Sequence, residues 1–183
     1  MAHVILVTGG SRSGKSAFAQ KFAESMPGPR AFIATGTVTD DEMRRRIEKH
    51  KQARRNSRWK TIEAPVDLKG TLPGTHRFKC VVVDCLTLWI NNLLYEAEKS
   101  GKTISENDVT RKCRELLNAC KKHPGTVLFV TNEIGMGIVP EPPLCRLYRD
   151  LVGRCNQIIA GASDRVILLV AGQPLELKRE ARS

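Results

Sequence analysis

An apolar run, Val4-Ile-Leu-Val7, leads through Thr8 to Gly9, and four residues further on the chain reads Gly14-Lys15-Ser16. This is the whole G-x-x-x-x-G-K-[ST] pattern, and it requires a strand, a tight turn and a helix in immediate succession. Glycines let the backbone curl until successive N–H groups converge on one concavity that suits phosphate oxygens. The helix that follows aims its positive N-terminal end at the same point. Lys15 can reach the outer phosphates, and Ser16 offers a hydroxyl to Mg²⁺. Gly9, Gly10, Ser11, Arg12, Ser13, Gly14, Lys15 and Ser16 are therefore expected to hold a nucleoside triphosphate. Arg12 either neutralises phosphate charge or is a solvated loop charge, and the pattern does not choose between them.

The rest of the chain supplies a body for this loop. Phe18 and Phe22 lie four apart on the helix after the loop, which Pro27-Gly28-Pro29 ends. Arg30 to Thr35 and Trp59 to Glu63 read as short strands, with turn-rich sequence from Asp67 to His76. Cys80-Val-Val-Val-Asp84 is an apolar run closing on an acid, the form of a buried strand that presents a carboxylate beside a nucleotide-bound Mg²⁺. Leu86 to Ala97 has helical periodicity, and Ser105-Glu-Asn-Asp108 resembles a cap opening a helix that His123-Pro124-Gly125 closes. Thr126 to Glu133 is a third apolar strand with polar residues at its C-terminal end, where ligands bind in open α/β sheets. The stretch from Gly135 to Pro143 reads as a loop and a candidate lid. A helix from about Leu144 to Ala162, a last strand from Arg165 to Val170 and a polar tail complete the chain. Strands alternating with helices, and continuously apolar where strongest, predict an α/β fold: a mostly parallel central sheet with helices on both faces.

The segment between Gly36 and Trp59 is the unusual one. Thr39-Asp-Asp-Glu42 has the form of a capping box, and Met43, Ile47, His50 and Arg54 fall at helical spacing on one stripe. His50 thus faces the body. A neutral imidazole there can attack phosphorus and carry a nucleotide covalently. Lys49, Lys51, Arg46 and Arg54 surround it, disfavour its protonation and draw in a triphosphate. The same stripe equally fits a histidine at the edge of the core, satisfied by a backbone group, beside a solvated basic face. Periodicity gives placement and no chemistry.

Length and composition narrow the class. The 183 residues suit one nucleotide-binding domain, 1–183. Lys and Arg exceed Asp and Glu by 11 charges, which suits an anionic nucleotide, nucleic acid or solubility alone. Only 5% of the residues are aromatic, so a base-stacking platform is poorly supported and nucleic acid is not favoured as the partner. No apolar run approaches the ~20 residues of a membrane span. No signal-peptide pattern opens the chain. Six cysteines without a C-x-x-C pair read as reduced, buried thiols of a cytoplasmic protein.

Taken together, the motifs resemble one family. Thr8 to Ser16, Ile33-Ala-Thr35, Asp40-Asp-Glu-Met43 and Arg46-Ile-x-x-His50-Lys51 are similar to segments of the bifunctional adenosylcobinamide kinase / adenosylcobinamide-phosphate guanylyltransferases of cobalamin biosynthesis. So are Arg58-Trp-Lys-Thr61 with Glu63, Asp84-Cys-Leu-Thr87, Asn92-Leu-Leu94, Thr131 to Pro140, Tyr148-Arg-Asp150, Gly153-Arg154 and Asn156-Gln157. The resemblance implies a RecA-like P-loop NTPase fold, often assembled as a homotrimer. It implies phosphorylation of adenosylcobinamide with GTP or ATP, then transfer of GMP from GTP through a guanylylated histidine to give adenosylcobinamide-GDP. His50 matches that histidine; Lys49 stands where some members carry a second one. The implied catalytic residues are His50 and Lys15. The implied nucleotide contacts are Gly9 to Ser16, Ala34, Thr35, Gly36, Lys51, Gln52, Ala53, Arg54, Glu63 and Asp84, with Ser16 and Asp84 on Mg²⁺. Two rivals remain on sequence grounds. A plain small-molecule P-loop kinase would keep His50 structural, and a basic nucleic-acid-stimulated ATPase would show salt-sensitive binding.

Overall fold

The computed structural model describes residues 2–37, 41, 44, 45, 47, 48, 52, 54 and 59–179. Seven strands run in chain order: β1 (His3–Gly9), β2 (Arg30–Ala34), β3 (Trp59–Glu63), β4 (Cys80–Asp84), β5 (Thr126–Val130), β6 (Arg165–Val170) and β7 (Gln173–Arg179). They form one sheet in the order β3-β2-β4-β5-β1-β6-β7. Strands β1 to β6 are mutually parallel where they pair, and β7 runs antiparallel to β6. Among the described residues, the helices with bounded ranges are α1 (Lys15–Ser25), α2 (Leu68–Thr71), α3 (Leu86–Lys99), α4 (Glu106–Lys121) and α5 (Pro143–Ala162).

Alternation of side chains along each strand builds two cores. Val4, Leu6, Ile33, Val81, Val83, Val127 and Phe129 point to one face and share a core with α3, α4 and α5. Ile5, Val7, Phe32, Val82, Leu128 and Val130 point to the other and share a core with Ala19 and Ala23 of α1. Because both faces are covered, the central strands are apolar at nearly every position, as the sequence predicts for a parallel sheet. The expected cap of α4 is present as a full box: Ser105 accepts from the Asp108 amide, and Asp108 accepts from the Ser105 amide.

Three stretches depart from the sequence expectation. The turn-rich segment after Asp67 is helical: Asp67 Oδ1 accepts from Gly70 N at 2.8 Å, α2 follows, and a 3₁₀ turn spans Leu72–Thr75. Leu68 and Leu72 anchor it in the core, but the elements are too short for their period to stand out from Gly70, Pro73 and Gly74. The polar tail after Val170 is strand β7. It lies at a sheet edge where its two leucines, Leu175 and Leu177, stay exposed, so it buries no apolar face, and Glu176 meets Arg165 and Arg179 there, both at 2.6 Å. On α5 the apolar Leu147 is exposed, and so is Cys145, which departs from the expectation of buried cysteines because it sits in the first turn of the helix, clear of the core.

Candidate nucleotide site

β1 ends at Gly9, and the chain turns through Gly14 into α1. Gly9 has φ 145°, and a Cβ there would lie 2.4 Å from the Leu169 carbonyl oxygen of β6. Only glycine fits both demands. Arg12 and Gly14 also take positive φ, 57° and 96°. No side chain caps α1, whose N-cap is Gly14, so its first turn presents uncapped amides to an anion. Lys15 is buried, and its ammonium folds across the loop to donate to the Gly10 carbonyl at 2.6 Å. The hairpin turn between β6 and β7 braces the loop from outside, with Gly172 N donating to Ser13 O at 3.0 Å.

Strand register brings the other expected residues to the same edge. Glu63 pairs with Ala34, Ala34 with Asp84, Asp84 with Val130 and Val130 with Val7. These residues form one row across the C-terminal edge of the sheet, a step before Gly9. Asp84 is half-buried. The Asp84–Cys85 peptide is cis. Thr35 is wholly buried, and its hydroxyl accepts from Cys85 N at 2.7 Å and donates to Cys85 O at 2.8 Å. That hydroxyl ties the end of β2 to the end of β4. Asn92 holds the Thr35 and Pro65 carbonyls at 2.7 and 2.9 Å.

Of the stripe that contains His50, two described members face the body. Ile47 Cδ1 would lie 4.0 Å from a Cβ placed on Gly36. Arg54 is 5% exposed, with its guanidinium carbon 3.6 Å from the Phe32 ring centroid. Burial lowers the pKa of Arg54, and Asp84 opposes that shift. Its Nε and Nη1 are buried without a hydrogen-bond partner, an unmet need for acceptors. Gln52 is helical and exposed. His50, Lys51 and Ala53 lie outside the described residues, as do Thr39, Asp40, Glu42 and Met43.

A polar network extends the edge through residues of the resemblance motifs to which the sequence assigns no role. Thr8 Oγ1 donates to Glu133 Oε1 at 2.5 Å, and Asn156 Nδ2 donates to the same oxygen at 3.2 Å. Thr131 Oγ1 donates to Asn156 Oδ1 at 2.7 Å, and Asn132 N donates to Thr87 Oγ1 at 3.0 Å. Tyr148 reaches the Thr87 carbonyl at 3.1 Å, its phenol pushed up to about 12 by burial and so a donor at neutral pH. The network ties β1, β5, α3 and α5 at the root of the loop. The physical signal for it in the sequence is the polar Thr131-Asn-Glu133 at the end of an apolar strand; Thr8, Thr87, Tyr148 and Asn156 stand out only through the resemblance.

The oxygen donors of Ser16 and Asp84 fit Mg²⁺, which keeps few protein ligands and completes its octahedron with phosphate and water. Among the described residues no cluster of three or more His, Cys, Asp or Glu side chains forms a metal cage.

Comparison with known proteins identifies the family and the fold. The model of the family "cobinamide kinase / cobinamide phosphate guanyltransferase" matches residues 5–177. The bifunctional adenosylcobalamin biosynthesis protein CobP of Pseudomonas aeruginosa is 40% identical over 176 residues, covering 96% of this chain and 97% of that one. The CobU proteins of Escherichia coli and Salmonella typhimurium are each 37% identical, over 96% of this chain and 99% of theirs. Among solved structures, a KaiC-like protein of Pyrococcus horikoshii superposes with TM-score 0.53 at 17% identity, over 91% of this chain and 70% of that one. An ATPase of a bacterial type III secretion system superposes with TM-score 0.62 at 11% identity, over 91% of this chain and 50% of that one. Those two likenesses establish a RecA-like P-loop fold. The match along nearly its whole length places the chain in the cobinamide kinase / cobinamide phosphate guanyltransferase family.

Proposed function

We propose that one nucleotide site at the C-terminal edge of the sheet serves both reactions of the family, and that His50 is the group that carries the guanylyl intermediate. The enzyme phosphorylates adenosylcobinamide with GTP or ATP and then converts the product to adenosylcobinamide-GDP. Residues 1–183 act as one nucleotide-binding unit. The observation that supports this reading best is the pairing of an uncapped P-loop, Gly9 to Ser16, with the buried and unpartnered donors of Arg54 beside Asp84.

In the kinase step the loop amides and Lys15 hold the triphosphate. The cobinamide hydroxyl oxygen attacks the γ-phosphorus, the bond to the β-phosphate oxygen breaks, and the hydroxyl proton passes to solvent water. In the transfer step a ring nitrogen of His50 attacks the α-phosphorus. The Pα–O bond to the β-phosphate breaks and pyrophosphate departs. A phosphate oxygen of cobinamide phosphate then attacks the same phosphorus and the P–N bond breaks, restoring the imidazole. Arg54 supplies donors to phosphate oxygens, joined by Lys51, Gln52, Ala53, Ala34 to Gly36 and Glu63 as further nucleotide contacts. Ser16 and Asp84 would hold Mg²⁺, which neutralises triphosphate charge. The reactions attack different phosphorus atoms, so the nucleotide or the His50 segment moves between steps. The cysteines carry no disulfide among the described residues, in keeping with a reducing cytoplasm, and no described helix can cross a membrane. Assembly as a homotrimer follows the family resemblance.

The test is incubation with GTP labelled at the α- or the γ-phosphate, followed by a denaturing gel. Label retained from the α position alone, acid-labile, alkali-stable and absent from His50→Asn, is the expected result. A folded, GTP-binding enzyme that retains no label would instead be a plain P-loop kinase with a structural His50.

A further inference from the structure

We infer that the cobinamide acceptor lies on an exposed apolar strip at residues 136–147 and sets its carboxamide arms in the cleft beside it. This rests on the cobinamide reading of the chain and assigns a second subsite, outside the nucleotide site.

The cleft has a volume of about 440 Å³ and is lined by Glu106 at the start of α4, Gly135, and Arg149, Asp150, Gly153, Arg154 and Gln157 of α5. Its two guanidinium groups and two carboxylates cancel in charge. Arg149 Nε lies 3.5 Å from Asp150 Oδ1, and Arg154 Nε donates to Thr110 Oγ1 at 3.1 Å. A surface that mixes donors and acceptors without net charge is a poor seat for a polyphosphate, which needs an excess of positive charge. It suits neutral carboxamides, which both donate and accept. A corrin ring carries such amides around its rim.

The ring itself is a broad, largely apolar body, and an apolar surface adjoins the cleft. Met136 is 80% exposed, Ile138 96%, Val139 62%, Leu144 51% and Leu147 37%. The strip begins one residue after Gly135 of the cleft wall. A run of large apolar side chains held out of the core marks a binding surface.

Two glycines of the wall point the same way. A Cβ at Gly135 or Gly153 would meet nothing within 4 Å, and neither residue has a positive φ. Gly153 sits in the interior of α5, where glycine is a poor helix former. Neither backbone nor packing demands glycine at these places; bare backbone leaves the wall open to a ligand. The subsite is also joined to the nucleotide site. Gly135 lies two residues after Glu133, which accepts from Thr8 at the root of the P-loop, and Gln157 follows Asn156 of the same network. A ring on the strip can therefore extend its aminopropanol arm toward the loop.

Two variants of the full chain test this. Gly153→Phe fills the cleft where the fold leaves room, and Ile138→Asn makes the strip polar at a position without core contacts. Each is assayed for the KM of adenosylcobinamide in γ-phosphate transfer, the KM of GTP, covalent labelling from α-labelled GTP, and mass in solution. The expected result is a rise of tenfold or more in the cobinamide KM, with the GTP KM and the labelling within twofold of the parent. A cobinamide KM within twofold of the parent in both variants overturns the inference. So does an altered mass with an unaltered cobinamide KM, which would make the strip a contact between copies. If Ile138→Asn changes both mass and KM, or Gly153→Phe fails to fold, the remaining variant decides. Absence of label from parent and variants alike would refute the His50 intermediate, while the kinase KM still tests the acceptor subsite.

Discussion

Arg54 carries a conflict that a bound nucleotide would resolve. Its guanidinium is buried over the Phe32 ring, and two of its donor nitrogens lack partners. An unmet buried donor costs about 1–3 kcal/mol, more when charged. Asp84 offsets part of that cost by Coulomb attraction across the end of the sheet. The stack also explains why a lysine would not serve: an ammonium lacks the planar fork that lies flat on a ring while its edge meets phosphate. Arg54→Met keeps the length and the contact with Phe32 and removes the charge. Its melting temperature without nucleotide should equal or exceed the parent's by a few degrees, since replacing a buried charge with a packed apolar group is often neutral or stabilising. Its affinity for GTP should fall at least tenfold, about 1.4 kcal/mol. Calorimetric titration beside thermal unfolding checks both halves. Parent-like GTP binding in the variant would remove Arg54 from the site. Sequence periodicity places Arg54 on the inward stripe, but the ring beneath it belongs to β2, 22 residues earlier, and no local pattern announces that contact.

Elements with a long period or a full motif are legible from the residues alone. The strand, turn and helix around Gly9 to Ser16 are dictated by their glycines, and β4 and β5 by unbroken apolar runs that only a doubly covered sheet can bury. The β6–β7 hairpin is not, and its turn explains why. Ala171 and Gly172 join Val170 to Gln173 with φ values of 49° and 79°, the geometry of a two-residue primed turn. The residue preferred at the first of those places is asparagine or glycine, so the Ala-Gly sequence hides the turn, and two leucines among Gln, Glu, Lys and Arg are too short an alternation to reveal β7. Yet this turn braces the P-loop through the bond from Gly172 N to Ser13 O. Alanine at positive φ is strained by about 1 kcal/mol. Ala171→Asn should relieve part of that strain and raise the melting temperature by about 1–4 °C, a shift readable by calorimetry. The KM for GTP should stay within twofold, because the brace is a backbone bond. A lower melting temperature would show that something other than turn strain selects alanine.

Across the whole molecule, the two ends of the sheet have divided tasks. The C-terminal edge gathers the P-loop, Asp84, Arg54 and the Glu133 network, and the row that aligns them follows from strand order, which no sequence motif encodes. The opposite end is structural, and His123 closes it. Its Nδ1 accepts from Gly125 N at 3.0 Å, and its Nε2 meets the Thr75 carbonyl at 3.1 Å, so the ring is neutral with its proton on Nε2. Protonating Nδ1 would set an N–H against the Gly125 amide. Burial is the main cause that lowers the His123 pKa below 6.5, aided by the His76 ring 5.6 Å away and opposed by the backbone bonds. A histidine whose folded pKa is depressed binds fewer protons folded than unfolded, so stability rises with pH. The His123 contribution is complete above pH 6.5 and is lost as pH falls from there through the folded pKa. Urea unfolding at pH 7.5, 6.5 and 5.5 should therefore show the parent losing stability through that window. His123→Gln should be less stable at pH 7.5 but change less on acidification, because its side chain does not titrate. GTP affinity at pH 7.5 should be the same in both, since the edge proposed to bind the nucleotide lies at the far end of the strands. Equal slopes would assign the acid sensitivity to other histidines; a loss of GTP affinity in His123→Gln would show that the two ends are coupled through the sheet.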